Sequence, residues 1–134
     1  MALTIKQGAK DFHTGTALTA GVMSERKVES HHVFPRAWLI SRGITDSELI
    51  LNRALIDSET NKIIGKRPPS KYIKEMRTSY GSTKLDEVLA SHALPTDSAG
   101  GLLNDEYQEY IEDRLLEVMD MIEDATKRTV SLGN

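Results

Sequence analysis

Residues 28–73 read VESHHVFPRAWLISRGITDSELILNRALIDSETNKIIGKRPPSKYI. A double histidine, His31-His32, closes a short strand-like run flanked by Val28 and Val33. Pro35 restricts Phe34 to an extended conformation and marks the exit from that run. Residues 36–42 (RAWLISR) suit a short helix stopped by Gly43 in the C′ position, with Trp38 and Leu39 as core anchors. Residues 49–56 (LILNRALI) form an apolar run of strand length, interrupted by Asn52 and Arg53. Asp57-Ser58 supplies an N-cap for a helix through Asn61, Lys62, Ile63 and Ile64, which Gly65 ends. Pro68-Pro69-Ser70 is a rigid turn into the next helix, with Ser70 as its expected N-cap and Tyr72, Ile73 and Met76 on one face. The order is strand, loop, strand, helix, with His, His, Asn and Asn at the junctions.

On either side the pattern is simpler. Residues 1–24 carry Gly8, Gly15 and Gly21 among threonines, and predict a short helical or irregular lead-in. Gly81 separates the helix after Pro69 from one bearing Leu85, Val88 and Leu89, and residues 95–101 (PTDSAGG) are a loop. Asn104 is the expected cap of the longest helix, running to about Arg128. Its stripe of Tyr107, Ile111, Leu115, Val118, Ile122 and Ala125 predicts a core-facing side. The expected architecture is a single α+β domain over 1–134, with a core at 27–80 and a helical C-terminal part at 82–128. Met1 reads as an artificial start, so a fragment of a larger protein is expected.

The chain of 134 residues, 28% of them charged, has ordinary globular composition. It has no cysteine, which removes disulfides and thiolate zinc sites. No signal peptide or membrane-length apolar run is visible, and the expected compartment is the cytoplasm. The net charge of −3 is uneven: residues 1–84 carry 14 Lys and Arg against 8 Asp and Glu, and residues 85–134 carry 3 against 12. The basic part holds the His and Asn residues, so a polyanion can be met there while the acidic part faces water.

Those residue types suit phosphodiester chemistry. Histidine titrates near neutrality and is the natural base for activating a water. Magnesium takes few protein ligands and keeps several waters or phosphate oxygens. Adjacent strand residues point to opposite faces, so His31 and His32 can hold two different roles. A buried Asn52 needs hydrogen-bond partners and therefore a structural or catalytic duty. Lys62, Lys66, Arg67, Lys71, Lys74 and Arg77 form a basic run suited to a phosphate backbone, with Arg36 and Arg53 able to do the same. His13 and His92 are expected to be structural or exposed.

The stretch resembles the HNH branch of the His-Me finger (ββα-metal) nucleases. More narrowly, HHVFPR followed by LILNRALIDSETNKIIGKRPPSKYI is similar to the C-terminal nuclease domain of GmrSD-type restriction proteins. Those carry variants of an H-I-F-P box, an N-L-x-L-L strand, T-N-x-x-I-G-x-x-P and P-S-x-Y-L. The helix beginning EYQEYIEDRLLEV also resembles the F-x-x-R-x-x-x-L helix that closes such domains. The resemblance implies a two-stranded hairpin and metal-site helix wrapped by further helices. It implies His32 as general base, His31 and Asn61 as ligands of Mg²⁺ (or Mn²⁺), and Asn52 as the residue that tethers the loop and orients the base. The implied products are a 5′-phosphate and a 3′-hydroxyl. The implied partners are DNA and an N-terminal nucleotide-binding, DNA-sensing domain, in restriction or phage defence. Glu29 is an alternative acidic ligand, and the zinc-ribbon cysteines of some HNH branches are absent.

Two rival functions follow from the same residues. One is an HNH-fold module that binds DNA or protein without cutting. The other is a helical interaction module built on the acidic C-terminal helix.

Overall fold

The computed structural model describes residues 8–12 and 14–133, so His13 and the lead-in before Gly8 lie outside the described residues. A two-stranded antiparallel hairpin, β1 (Glu29–His32) and β2 (Arg53–Ile56), pairs His31 with Ala54 and His32 with Arg53. Residues 33–52 leave and re-enter this ladder. They carry helix α2 (Arg36–Ser41), and Gly43 follows with φ +74, a left-handed turn that suits a residue lacking Cβ.

The apolar run 49–56 predicts one strand, but only its second half pairs. Ile50–Asn52 is a 3₁₀ turn, with the Asn52 N–H bonded to the Leu49 carbonyl at 2.9 Å. The turn lets the Asn52 side chain enter the interior, where the loop backbone satisfies it. Extended geometry would not give it those partners.

The helices obey local rules at several of their ends. Thr19 caps α1 (Ala20–Glu25) through the Val22 N–H at 3.2 Å. Asp57 caps α3 (Ser58–Ile64) through the Thr60 N–H at 3.1 Å, and Gly65 at φ +54 ends it. Helix α4 (Pro69–Tyr80) begins with Pro69 at N1, where a missing N–H costs nothing. Pro68, not Ser70, occupies the cap position. Ser70 instead donates its N–H and hydroxyl to Asp105, at 2.9 and 2.5 Å. Gly81 separates α4 from α5 (Ser82–Ser91).

Helix α6 (Tyr107–Gly133) departs from its expected start and face. Asn104 does not cap it; its amide donates to the carbonyls of Ser98 and Gly100 and ties the preceding loop together. That loop touches α6 at Gly101, where an added Cβ would stand 2.2 Å from the Tyr110 nitrogen. The buried face is Tyr107, Tyr110 and Arg114. Leu115 and Ile122 of the expected stripe are 46% and 49% exposed. Periodicity located an apolar face correctly over the first turns, but the body it packs on ends near Arg114.

The main core gathers Phe34, Leu39, Ile56, Ile64, Tyr72, Met76, Leu85, Leu89, Leu102 and Tyr110 from nearly every element. Phe34 is fully buried, its ring 5.3 Å from Tyr107 and 5.0 Å from Tyr110. Burying such a side chain contributes about 1.5–3 kcal/mol. A smaller cluster of Ala9, Leu18, Val28 and Leu55 covers the other side of the hairpin. The molecule is therefore α+β. Among the described residues no helix is long and apolar enough to cross a membrane.

Candidate functional site

The hairpin, α2 and α3 meet around an open cleft of about 230 Å³, lined by His31, His32, Pro35, Arg36, Ala37, Asn61, Ile64, Gly65 and Lys66. Five of the candidate residues thus converge: His31, His32, Asn61, Arg36 and Lys66. Residues from separate elements reach one place because Pro35 turns the chain sharply after β1 and the Asp57 cap starts α3 directly after β2.

The other five candidates lie elsewhere. Asn52 is wholly buried beneath the cleft. Arg53 lies on the hairpin beside His32, while Lys62 and Lys71 are exposed on α3 and α4. Arg67 is braced internally, its guanidinium held by the Glu75 carboxylate and the Ile63 carbonyl. Its donors are already committed to the fold.

His31 is partly buried, and that burial is the main cause lowering its pKa below the usual histidine value; nearby Arg53 and His32 act in the same direction, against Glu29 and Asp57. The ring is consequently neutral at pH 7, the form in which an imidazole can ligate a cation. His32 stands in a polar cluster. Its Nε2 lies 3.0 Å from Glu48 Oε1, and Arg53 Nη1 lies 3.3 Å from Glu48 Oε2 and 3.4 Å from His32 Nε2. The hydrogen bond to His32 is the leading cause that holds the Glu48 carboxyl below its ordinary range. Arg53 is positioned from behind by Ser30, through Nε to Oγ at 2.9 Å and Nη2 to the carbonyl at 3.1 Å.

Asn52 fastens the chain on which both histidines depend. Its Oδ1 accepts the Phe34 N–H at 2.8 Å, and its Nδ2 donates to the carbonyls of Phe34 at 3.0 Å and Ser47 at 3.1 Å. Every polar atom of the side chain is used on backbone, so Asn52 orients the cleft and does not enter it. Three residues extend this support. The hydroxyl of Tyr72 donates to the Val33 carbonyl at 2.6 Å, and that of Tyr110 to the Leu51 carbonyl at 2.6 Å. Buried Arg114 donates to the carbonyls of Leu51 at 2.7 Å and His92 at 3.2 Å. Burial raises the pKa of the Tyr110 phenol to about 12 and keeps it a donor.

Sequence reasoning missed Glu48, Tyr110 and the clamping role of Arg114. Residues Tyr72 and Arg114 fall inside the helix motifs quoted above, so their types were visible although their contacts were not. Glu48 sits in a turn with no spacing signal.

His31 and Asn61 are the two cleft residues that would hold a divalent cation. A neutral His31 imidazole and the Asn61 carboxamide line the cleft, and among the described residues nothing hydrogen-bonds the Asn61 side chain. No group of three His, Cys, Asp or Glu able to hold a metal occurs among the described residues. Two donors leave room for water and phosphate oxygens, which is how magnesium is usually held.

No protein-family model matches the chain, and no solved structure matches it. An uncharacterized protein of Methanocaldococcus jannaschii is 37% identical over 87 residues, which cover 63% of this chain. The match takes in 15% of that relative, so the chain spans only a small part of its length.

Proposed function

We propose that this chain is a divalent-cation-dependent endonuclease domain of the His-Me finger (HNH) type, acting on DNA. The observation that carries the proposal is the cleft joining His31, His32 and Asn61 with Arg36 and Lys66 at its rim. His31 and Asn61 would hold Mg²⁺ or Mn²⁺. When bound, that cation neutralises charge on the phosphate and on the departing oxygen. His32 accepts the proton of the water whose oxygen attacks phosphorus. The P–O3′ bond breaks, and the 3′ oxygen leaves and takes a proton from solvent water in the open cleft, giving a 3′-hydroxyl and a 5′-phosphate. Arg36, Lys66 and Arg53 bind the backbone, with Lys62 and Lys71 extending the basic track; such contacts position a duplex without reading its sequence.

The cellular role we infer is restriction of foreign or modified DNA, with a separate nucleotide-binding, DNA-sensing part selecting the target. The small share of the longer relative that the chain spans is compatible with further domains. A second reading, a module that binds DNA or protein without cutting, is favoured by one observation: Glu48 already engages the nitrogen of His32.

A supercoiled-plasmid assay separates the two. With Mg²⁺ or Mn²⁺ the wild-type domain nicks or linearises DNA, EDTA stops it, and His32→Ala lowers the rate by about 10²–10⁴-fold, the range of a lost general base. Asn61→Ala likewise abolishes metal-dependent cutting. Equal behaviour of wild type and His32→Ala sinks the nuclease assignment for these residues.

A further inference from the structure

We infer that Glu48 occupies the seat of a phosphodiester group, so that Arg53 forms an anion subsite beside His32 which the chain itself covers until a nucleic-acid backbone displaces the carboxylate. The inference rests on the proposed nucleic-acid function and specifies how that site is covered.

The seat is built asymmetrically. Arg53 is fixed to Ser30 through Nε and Nη2, which leaves Nη1 as the donor turned toward Glu48. His32 Nε2 meets the same carboxylate at 3.0 Å, and the Ser47 hydroxyl donates to it at 3.4 Å. Guanidinium and hydroxyl donors that recognise a carboxylate recognise a phosphate oxygen by the same charge-assisted bonds.

The plug is more exposed than the seat. The Glu48 side chain is 68% exposed, against 28% for Arg53 and 24% for His32. It can swing into water with little loss of buried surface. Its loop stays in place meanwhile, because Asn52 holds the Ser47 carbonyl and Tyr107 donates to the Asp46 carbonyl at 2.7 Å. Displacement also releases His32 Nε2, a nitrogen that Glu48 otherwise engages. Glu48 therefore competes with substrate directly and does not act through a conformational change of the core.

The test measures binding without cleavage. A short fluorescent DNA duplex is titrated into wild type, Glu48→Gln, Arg53→Met and the double variant, in EDTA at low salt, with circular dichroism confirming that each is folded. Removing a competing exposed ion pair is expected to tighten binding about threefold in Glu48→Gln, the scale of a surface salt bridge. In the Arg53→Met background the same change is expected to do nothing, because the seat is gone. An equal gain in both backgrounds would mean that Glu48 acts only through net charge, and no gain in either would mean that it blocks nothing; each overturns the inference. Should Arg53→Met fail to fold, Arg53→Gln replaces it, since it removes the charge but keeps a polar side chain on the hairpin. Cleavage plays no part in this readout, so a gate that fails while the plasmid assay succeeds removes only the gate. A gate that holds in a protein that never cuts identifies a non-cutting DNA binder.

Discussion

Two asparagines on the same stretch of chain have opposite fates. Asn52 is fully buried and spends its whole amide on the backbone of Phe34 and Ser47. Asn61 lines the open cleft, and among the described residues nothing hydrogen-bonds its side chain. One region of the molecule is a saturated clamp and the other keeps its donors and acceptors for something else. A buried polar group without partners would be costly, so saturation is what stability requires. An unsaturated amide at a cleft wall costs little because water can reach it.

The largest break in this comparison should come from Asn52→Ala. It strands the Phe34 N–H and the carbonyls of Phe34 and Ser47 in the interior. The expected loss is about 3–5 kcal/mol of unfolding free energy, read by urea denaturation. A loss below about 1 kcal/mol would mean that water or a shifted loop replaces the clamp without difficulty.

A second buried polar position gives a pH-dependent test. His92 is buried, stacked on Phe12 at 4.7 Å and bonded through Nε2 to the Lys10 carbonyl at 2.6 Å. Burial is the main cause that lowers its pKa to about 4. The unfolded chain takes up this proton near pH 6.5 and the folded chain only near 4. Stability is therefore whole above pH 6.5, falls as the pH drops toward 4, and loses nothing more from this group below that. The contribution is roughly 3 kcal/mol across the window. Denaturation midpoints of wild type and His92→Gln should diverge in pH dependence between those limits. Parallel pH curves would remove His92 as the cause.

The smallest stability effect belongs to Asn61→Ala. Unfolding free energy should stay within about 0.5 kcal/mol of wild type. Divalent-cation affinity should fall, which calorimetric titration with Mn²⁺ would detect. A large destabilisation would place Asn61 with Asn52 in the framework, and unchanged Mn²⁺ affinity would leave the cleft without its second ligand.

The elements around the cleft were largely legible. His31-His32 at a strand end, the helix holding Asn61 and the capping duty of Asp57 all follow from nearest-neighbour rules. Asn52 was recognisable as a buried polar residue needing partners, but its 3₁₀ turn was not, because the apolar run reads the same in either backbone. Arg67 looked like its basic neighbours until Glu75 and the Ile63 carbonyl were brought beside it.

The chain by itself determined where several helices start and stop, since a capping carboxylate, a proline at N1 or a glycine at positive φ acts within a few residues. It also determined which residue types stand at the hairpin junctions. Only the tertiary structure decided that Glu48 lies over His32 and that Arg114 holds the carbonyls of Leu51 and His92. It also decided that the apolar face of α6 runs out into solvent beyond its first turns. Periodicity specifies the face of a helix, whereas the extent of the body covering that face depends on segments far away in sequence.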